Sequence, residues 1–205
     1  MNYIKLINYS KPKRVLDVGA HIGDFSKTIT QLAPDCQIVM VEANPNCEPY
    51  LQKLPHGYEM IALSNKQGKA ELFVEKANSI GTGASLYREN TDWYADGKFE
   101  KVEVNVDTLD NRRYFADEVI DLVKLDVQGA ELDILSGGQS TIMRSKYVLI
   151  EVSVIEYNSN APLMDEIVTT MRSYGFYIED ILDYLKPNKK QIVQMDLLFK
   201  NSYIF

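Results

Sequence analysis

The chain has 205 residues, 45% hydrophobic and 25% charged, with a formal net charge of −7 at pH 7. Such proportions belong to a globular protein with a substantial core and exclude disordered and fibrous classes, while the negative balance opposes nonspecific attraction to nucleic acid or anionic lipid. No apolar run approaches the roughly 20 residues that cross a bilayer, and the first residues lack a signal-peptide layout, so a soluble, cytoplasmic, single-domain protein over residues 1–205 is expected.

Residues 1–13 read as a polar and aromatic lead-in, with Pro12 stopping any helix before the first core strand. An apolar run over residues 15–18 ends at Gly19, Gly19 and Gly23 flank a tight turn, and a helix is expected from Ser26 onward. Phe25, Ile29 and Leu32 fall on one face of it, and Pro34-Asp35 ends it. A strand, glycine loop and helix in that order form a nucleotide-type pocket. Glycine lets a ligand approach the backbone closely, and amides at the helix start face outward as donors. A dinucleotide loop needs three glycines, and two of those positions hold Asp17 and Ile22, so pyrophosphate and a nucleotide-dependent oxidoreductase are disfavoured. Asp17 suits a cationic ligand carrying an amino group instead.

Residues 37–45 form an apolar strand ending in Glu42, placed where a second parallel strand presents an acid to a ribose diol. Cys36 and Cys47 match neither a zinc knuckle nor a disulfide framework and read as reduced structural thiols. A short helix over residues 46–54 precedes a third strand over 58–64, whose end brings Ala62, Leu63 and Ser64 beside an adenine. Residues 66–69 make a turn, and residues 70–74 the second arm of a hairpin. The small, glycine-rich segment 78–87 suits a mobile loop over a site, and residues 78–100 form a candidate substrate loop. Trp93-Tyr94 either walls the substrate or joins the core.

Residues 101–107 alternate as a strand with one wet face, followed by a short helix through Tyr114. Residues 120–126 form a buried strand ending in charge, after which Gly129 turns the chain into a helix carrying Leu132, Ile134 and Leu135. Lys124, Asp126 and Glu131 therefore lie near the carboxyl edge of the sheet, where open α/β folds bind ligands. Residues 146–152 repeat the pattern and end at Glu151. An amphipathic helix over 164–174, capped by Gly175, leads to a closing hairpin of residues 176–183 and 192–199.

Taken together, Asp17-Val18-Gly19-Ala20-x-Ile22-Gly23, Val106-Asp107-Thr108-Leu109-Asp110, Lys124-Leu125-Asp126-Val127-x-Gly129-Ala130-Glu131, Ile150-Glu151 and Met195-Asp196-Leu197-Leu198-Phe199 resemble the FkbM family of methyltransferases. That resemblance implies an α/β, Rossmann-like methyltransferase fold: a mostly parallel seven-stranded sheet with one antiparallel strand at the closing hairpin, and helices on both faces. It also implies S-adenosylmethionine as donor and an oxygen nucleophile on a carbohydrate or small natural product. His21 stands where the family usually has Asn, Gln128 where it usually has Glu, and Glu42-Ala43-Asn44-Pro45 where a proline normally follows the acid directly.

Asp17, Gly19, Ala20, His21, Gly23, Glu42, Ala62, Leu63, Ser64 and Asp126 are accordingly the candidate cofactor residues. A sugar hydroxyl must lose its proton as it attacks, so Asp126, then Glu131, then His21 are candidate bases. Asp126 has the alternative of pairing with Lys124 or capping the next helix. A divalent ion on Asp126, Glu131 and Glu151 is a further, less favoured possibility. The two departures at His21 and Gln128 keep open a protein that binds the cofactor without turnover.

Overall fold

A computed structural model describes residues 1–87, 97–116, 118–156, 161–187 and 190–204. In chain order the elements are α1 (Tyr3–Ser10), β1 (Arg14–Val18), α2 (Asp24–Leu32), β2 (Gln37–Glu42), α3 (Glu48–Leu51), β3 (Gly57–Met60), β4 (Ala62–Ser64), β5 (Gly68–Glu75) and β6 (Phe99–Thr108). There follow α4 (Leu109–Arg112), β7 (Ile120–Leu125), α5 (Glu131–Gly137), α6 (Gln139–Met143), β8 (Ser145–Ser153), α7 (Met164–Ser173), β9 (Phe176–Leu185) and β10 (Gln194–Asn201).

Seven strands form one sheet in the order β3-β2-β1-β7-β8-β10-β9, in which β10 alone runs antiparallel to the other six. This is the Rossmann-like methyltransferase arrangement. The central strand β7 is buried at every position, as a strand covered on both faces must be. One face of the sheet packs Leu6 of α1, Phe25 and Ile29 of α2 and Leu51 of α3. Against the other face lie Leu109 of α4, Ile134 and Leu135 of α5, Ile142 of α6 and Ile167 and Met171 of α7. The chain winds outward from β1 to β3, then returns to place β7 on the other side of β1. A crevice opens at such a reversal, beyond the carboxyl ends of the strands.

Several local expectations are corrected. Residues 1–13 contain a helix, capped by Asn2 and anchored by fully buried Leu6. On α2 the buried face is Phe25, Ser26 and Ile29, whereas Leu32 is exposed at the last turn. The expected third strand is two strands: residues 57–60 edge the main sheet, then the chain swerves at Ile61 and β4 joins a second sheet, β4-β6-β5. β5 does not form the expected hairpin with the strand before it but pairs antiparallel with β6, which lies between β4 and β5 and pairs parallel with β4. Trp93 and Tyr94 lie outside the described residues. No helix among the described residues is long and apolar enough to cross a membrane.

Candidate functional site

The glycine loop is tied to the sheet by its own backbone. The amides of Gly19 and Ala20 both donate to the Val41 carbonyl, at 2.9 and 3.0 Å, and that of Gly23 donates to the Ala20 carbonyl at 2.8 Å. These three donors are spent on β2 and on the loop itself, so they tie the loop down and do not face the cavity. Gly19 also has φ +76°, and a Cβ built on it would stand 1.8 Å from the Asp126 carbonyl oxygen. Its need for glycine comes from the crossing of the β1 and β7 termini. A Cβ on Gly23 would meet a Leu54 methyl at 2.3 Å.

Glu42 is organised the same way. Its Oε2 accepts from the His21 amide at 2.7 Å and its Oε1 from the Asn44 amide at 2.7 Å. Burial raises the proton affinity of this carboxyl, and the backbone donors partly offset that. His21 holds φ +53°, a left-handed conformation that β-carbon residues adopt seldom, though His and Asn do so more than most. Its Nε2–H donates to the Ile80 carbonyl at 2.5 Å, and Asn44 Nδ2 donates to the Ser79 carbonyl at 2.8 Å. Ser85 Oγ fastens the far end of this segment by donating to the Gln128 carbonyl at 2.7 Å. Residues 81–86 are thereby strapped along a cavity of about 700 Å³.

That cavity opens where the crevice was expected. Val18, Gly19, His21, Val41 and Glu42 line one end, with Ile61, Ala62 and Leu63 beside them. Asp126, Gln128 and Glu151 line its floor, and Ile155, Leu185, Pro187 and Val193 wall its far end. Its size and its mostly apolar lining with few convergent polar groups are those of a small-molecule site. Of the residues named from sequence, Gly19, His21, Glu42, Ala62, Leu63 and Asp126 meet here. Ala20, Gly23 and Ser64 lie outside the lining, in supporting positions.

Asp17 lies beneath the floor. It is fully buried, its Oδ2 accepts from Ser26 Oγ at 2.6 Å, and its Oδ1 has no hydrogen-bond partner. The ammonium of buried Lys124 stands 3.6 Å from that Oδ1 and 3.1 Å from Asp126 Oδ2. Burial alone would depress the Lys124 pKa; Asp126 and Asp17 outweigh it and hold the ammonium charged. Asp126 thus takes the ion-paired alternative allowed from its sequence. Glu131 is turned away from the cavity: its carboxylate accepts from the amides of Val127 and Gly129 and closes the turn after β7. Burial, against those amides, raises its pKa to about 7. Asp126, Glu131 and Glu151 do not converge, and among the described residues no group of three or more His, Cys, Asp or Glu side chains is arranged to hold a metal ion.

Gln128 stands where the family usually has Glu, and the structure gives its amide a task. From φ +58° its Nε2 donates to Asp126 Oδ1 at 3.2 Å and to Glu151 Oε1 at 2.8 Å. Gln194 Nε2, which sequence reasoning missed, adds a 3.0 Å bond to the same Glu151 oxygen. Asp196 is the cross-strand partner of Glu151 on β10. Its place in the closing motif was visible, its register against Glu151 was not.

The family model for the methyltransferase FkbM domain matches residues 17–178. Among curated proteins the chain is similar to the 2-O-methyltransferase NoeI of Sinorhizobium fredii, 26% identical over 164 residues, covering 73% of this chain and 67% of that protein. Methyltransferase sdnD of Sordaria araneosa is 27% identical over 196 residues, covering 80% and 73% respectively. A solved FkbM methyltransferase from Methylobacillus flagellatus KT shares the fold with a TM-score of 0.59 at 13% identity, covering 92% of this chain, which spans 43% of that one. Magnesium protoporphyrin IX methyltransferase from Synechocystis PCC 6803, solved with bound SAM, gives 0.53 at 11% identity, covering 97% and 77%.

Proposed function

The chain belongs to the FkbM methyltransferase family, and from that premise we propose that it moves a methyl group from S-adenosylmethionine to a hydroxyl of a carbohydrate or small natural product. The observation carrying this reading is the single continuous cavity from Glu42 at the end of β2 to Asp126 and Glu151 at the ends of β7 and β8. The lining fits the donor. Glu42 offers a carboxylate for paired ribose hydroxyls, and Val18, Val41, Ile61, Ala62 and Leu63 offer an apolar slot for a flat base. Carboxylates of Glu42, Asp126 and Glu151 in the lining favour a positively charged ligand over a phosphate.

Bound there, S-adenosylmethionine supplies a methyl carbon on a positively charged sulfur, open to in-line attack. The protein's part is alignment and exclusion of water. The strap over residues 81–86 covers the cavity, and the Lys124 pair fixes the position of Asp126 in its floor. The apolar wall of Ile155, Leu185, Pro187 and Val193 beside carboxylates suits a neutral acceptor with an apolar face, and disfavours a phosphorylated or carboxylated one. NoeI, a 2-O-methyltransferase by name, supports oxygen as the acceptor atom.

Transfer of a labelled methyl group from the donor to a panel of neutral glycosides, sugar phosphates, amines and hydroxylated natural products tests the reading. Label is expected in a neutral hydroxyl compound. Label confined to nitrogen acceptors or phosphorylated sugars would overturn it.

A further inference from the structure

Glu151 and Asp126 share the floor of the cavity and one amide donor, yet their surroundings differ. Asp126 has the Lys124 ammonium at 3.1 Å from its Oδ2, so one of its oxygens is committed to an ion pair. Glu151 receives amides from Gln128 and Gln194 on one oxygen, which orient the carboxyl without neutralising it. Its direct neighbour across the sheet is Asp196, a second acid in register on β10. The charged groups acting on it are Asp126 and Lys124 from β7 and its end, Glu131 from α5 and Asp196 from β10. Like charges opposite one another make a carboxyl seek a proton.

We propose that Glu151 is the catalytic base, receiving the acceptor's hydroxyl proton, and that Gln128 and Gln194 are the residues that position it; this rests on the methyl-transfer reading above. The acceptor O–H bond breaks and its proton goes to the Glu151 carboxylate. The oxygen's electron pair forms the bond to the methyl carbon, and the carbon–sulfur pair stays on sulfur, leaving a neutral thioether. Burial first, then the Asp126 and Asp196 charges, hold the Glu151 carboxyl up at about 8, near enough to neutrality for proton exchange. A glutamate at position 128 would crowd a third carboxylate against Asp126 and Glu151, whereas the amide donates to both. The departure at Gln128 is then part of how the base is held.

The test uses the full chain and two ligands that differ by the charged methyl: S-adenosylmethionine and S-adenosylhomocysteine, titrated calorimetrically from pH 6 to 9. A base aimed at the methyl faces the sulfonium, so its ionisation should raise the preference for S-adenosylmethionine about tenfold, the size expected of unit charges several ångströms apart in a screened site. Glu151→Gln should flatten that rise, and Asp196→Asn should move its midpoint to lower pH. Once an acceptor is in hand, Glu151→Gln should lower kcat at least 100-fold with the S-adenosylhomocysteine affinity unchanged. A rise that survives Glu151→Gln but vanishes in Asp126→Asn, or a preference independent of pH, would overturn the assignment and leave the methyl-transfer reading standing. Binding of neither ligand would overturn both.

Discussion

At the β2 end of the cavity a buried carboxylate is held by main chain; at the β8 end one is held by side chains. Glu42 accepts from the amides of His21 and Asn44, and these belong to the loops that shape the pocket. Glu151 accepts from two glutamine side chains and faces an aspartate across the sheet. The first arrangement cannot change without moving the backbone, while the second can gain or lose a proton in place. Rigid recognition at one end and adjustable chemistry at the other follow from which kind of donor each carboxylate has.

The largest effect should come from the rigid end. Gly19→Ala puts a methyl 1.8 Å from a backbone oxygen at φ +76°, and neither strand terminus can yield, so several kcal/mol of stability should be lost and soluble, folded protein should fall sharply. Circular dichroism melts check this; a near-native Tm would show that the β1–β7 crossing can yield to a side chain. Glu42→Ala removes the acceptor for two loop amides as well as the partner for a ribose, and donor affinity should drop about 10- to 100-fold. An unchanged dissociation constant would end the parallel between the two carboxylates.

Two carboxyls with raised proton affinity, Glu151 at the adjustable end and Glu131 in the turn after β7, predict a pH effect on stability. The carboxyls of Glu131 and Glu151 have folded values of about 7 and about 8 against 4.5 without the fold. The native state therefore binds their protons more tightly than the unfolded chain does. Stability from these groups is intact below about pH 4.5 and is lost as pH rises through 7 and then 8. Glu151→Gln should consequently raise the Tm at pH 9 by a few degrees relative to wild type, on the order of 1–2 kcal/mol after solvent screening, and by less at pH 5. Equal shifts at both pH values would contradict a proton-linked cost.

Smallest is the strap. His21→Ala removes the bond to the Ile80 carbonyl and should weaken donor binding only a few-fold, mainly through faster release, because Asn44 and Ser85 still hold the segment. His21→Asn should recover part of the loss if the shorter side chain still reaches. A loss as large as that of Glu42→Ala would place His21 on the ligand itself.

The same contrast marks what could be read in the sequence. Apolar runs that end in an acid or a glycine gave β1, β2, β7 and β8 within a residue or two, because a strand buried on both faces must be a short apolar run. Residues 58–64 look like one such run, yet the chain leaves the sheet at Ile61; the cause is pairing with β6, more than 30 residues onward, which no local pattern encodes. In the site, Glu42 and Asp126 were visible as charges at strand ends. Lys124 as the ion-pair partner of Asp126 was visible too, being two residues away on the same strand. Gln194 and the register of Asp196 against Glu151 were not, since they depend on how the closing hairpin pairs with β8. Asp17 and Glu131 show the reverse error: a charge near a strand end does not reveal whether it faces the crevice or is spent inside it.

The central claim is that the cavity between Glu42 and Glu151 holds S-adenosylmethionine. Calorimetric titration of the purified protein with S-adenosylmethionine, S-adenosylhomocysteine and NAD tests it most directly. Saturable one-to-one binding of the first two, weakened by Glu42→Ala, with no heat from NAD, is the predicted result. Binding of NAD in their place, or no binding of either adenosyl ligand by folded protein, would contradict it.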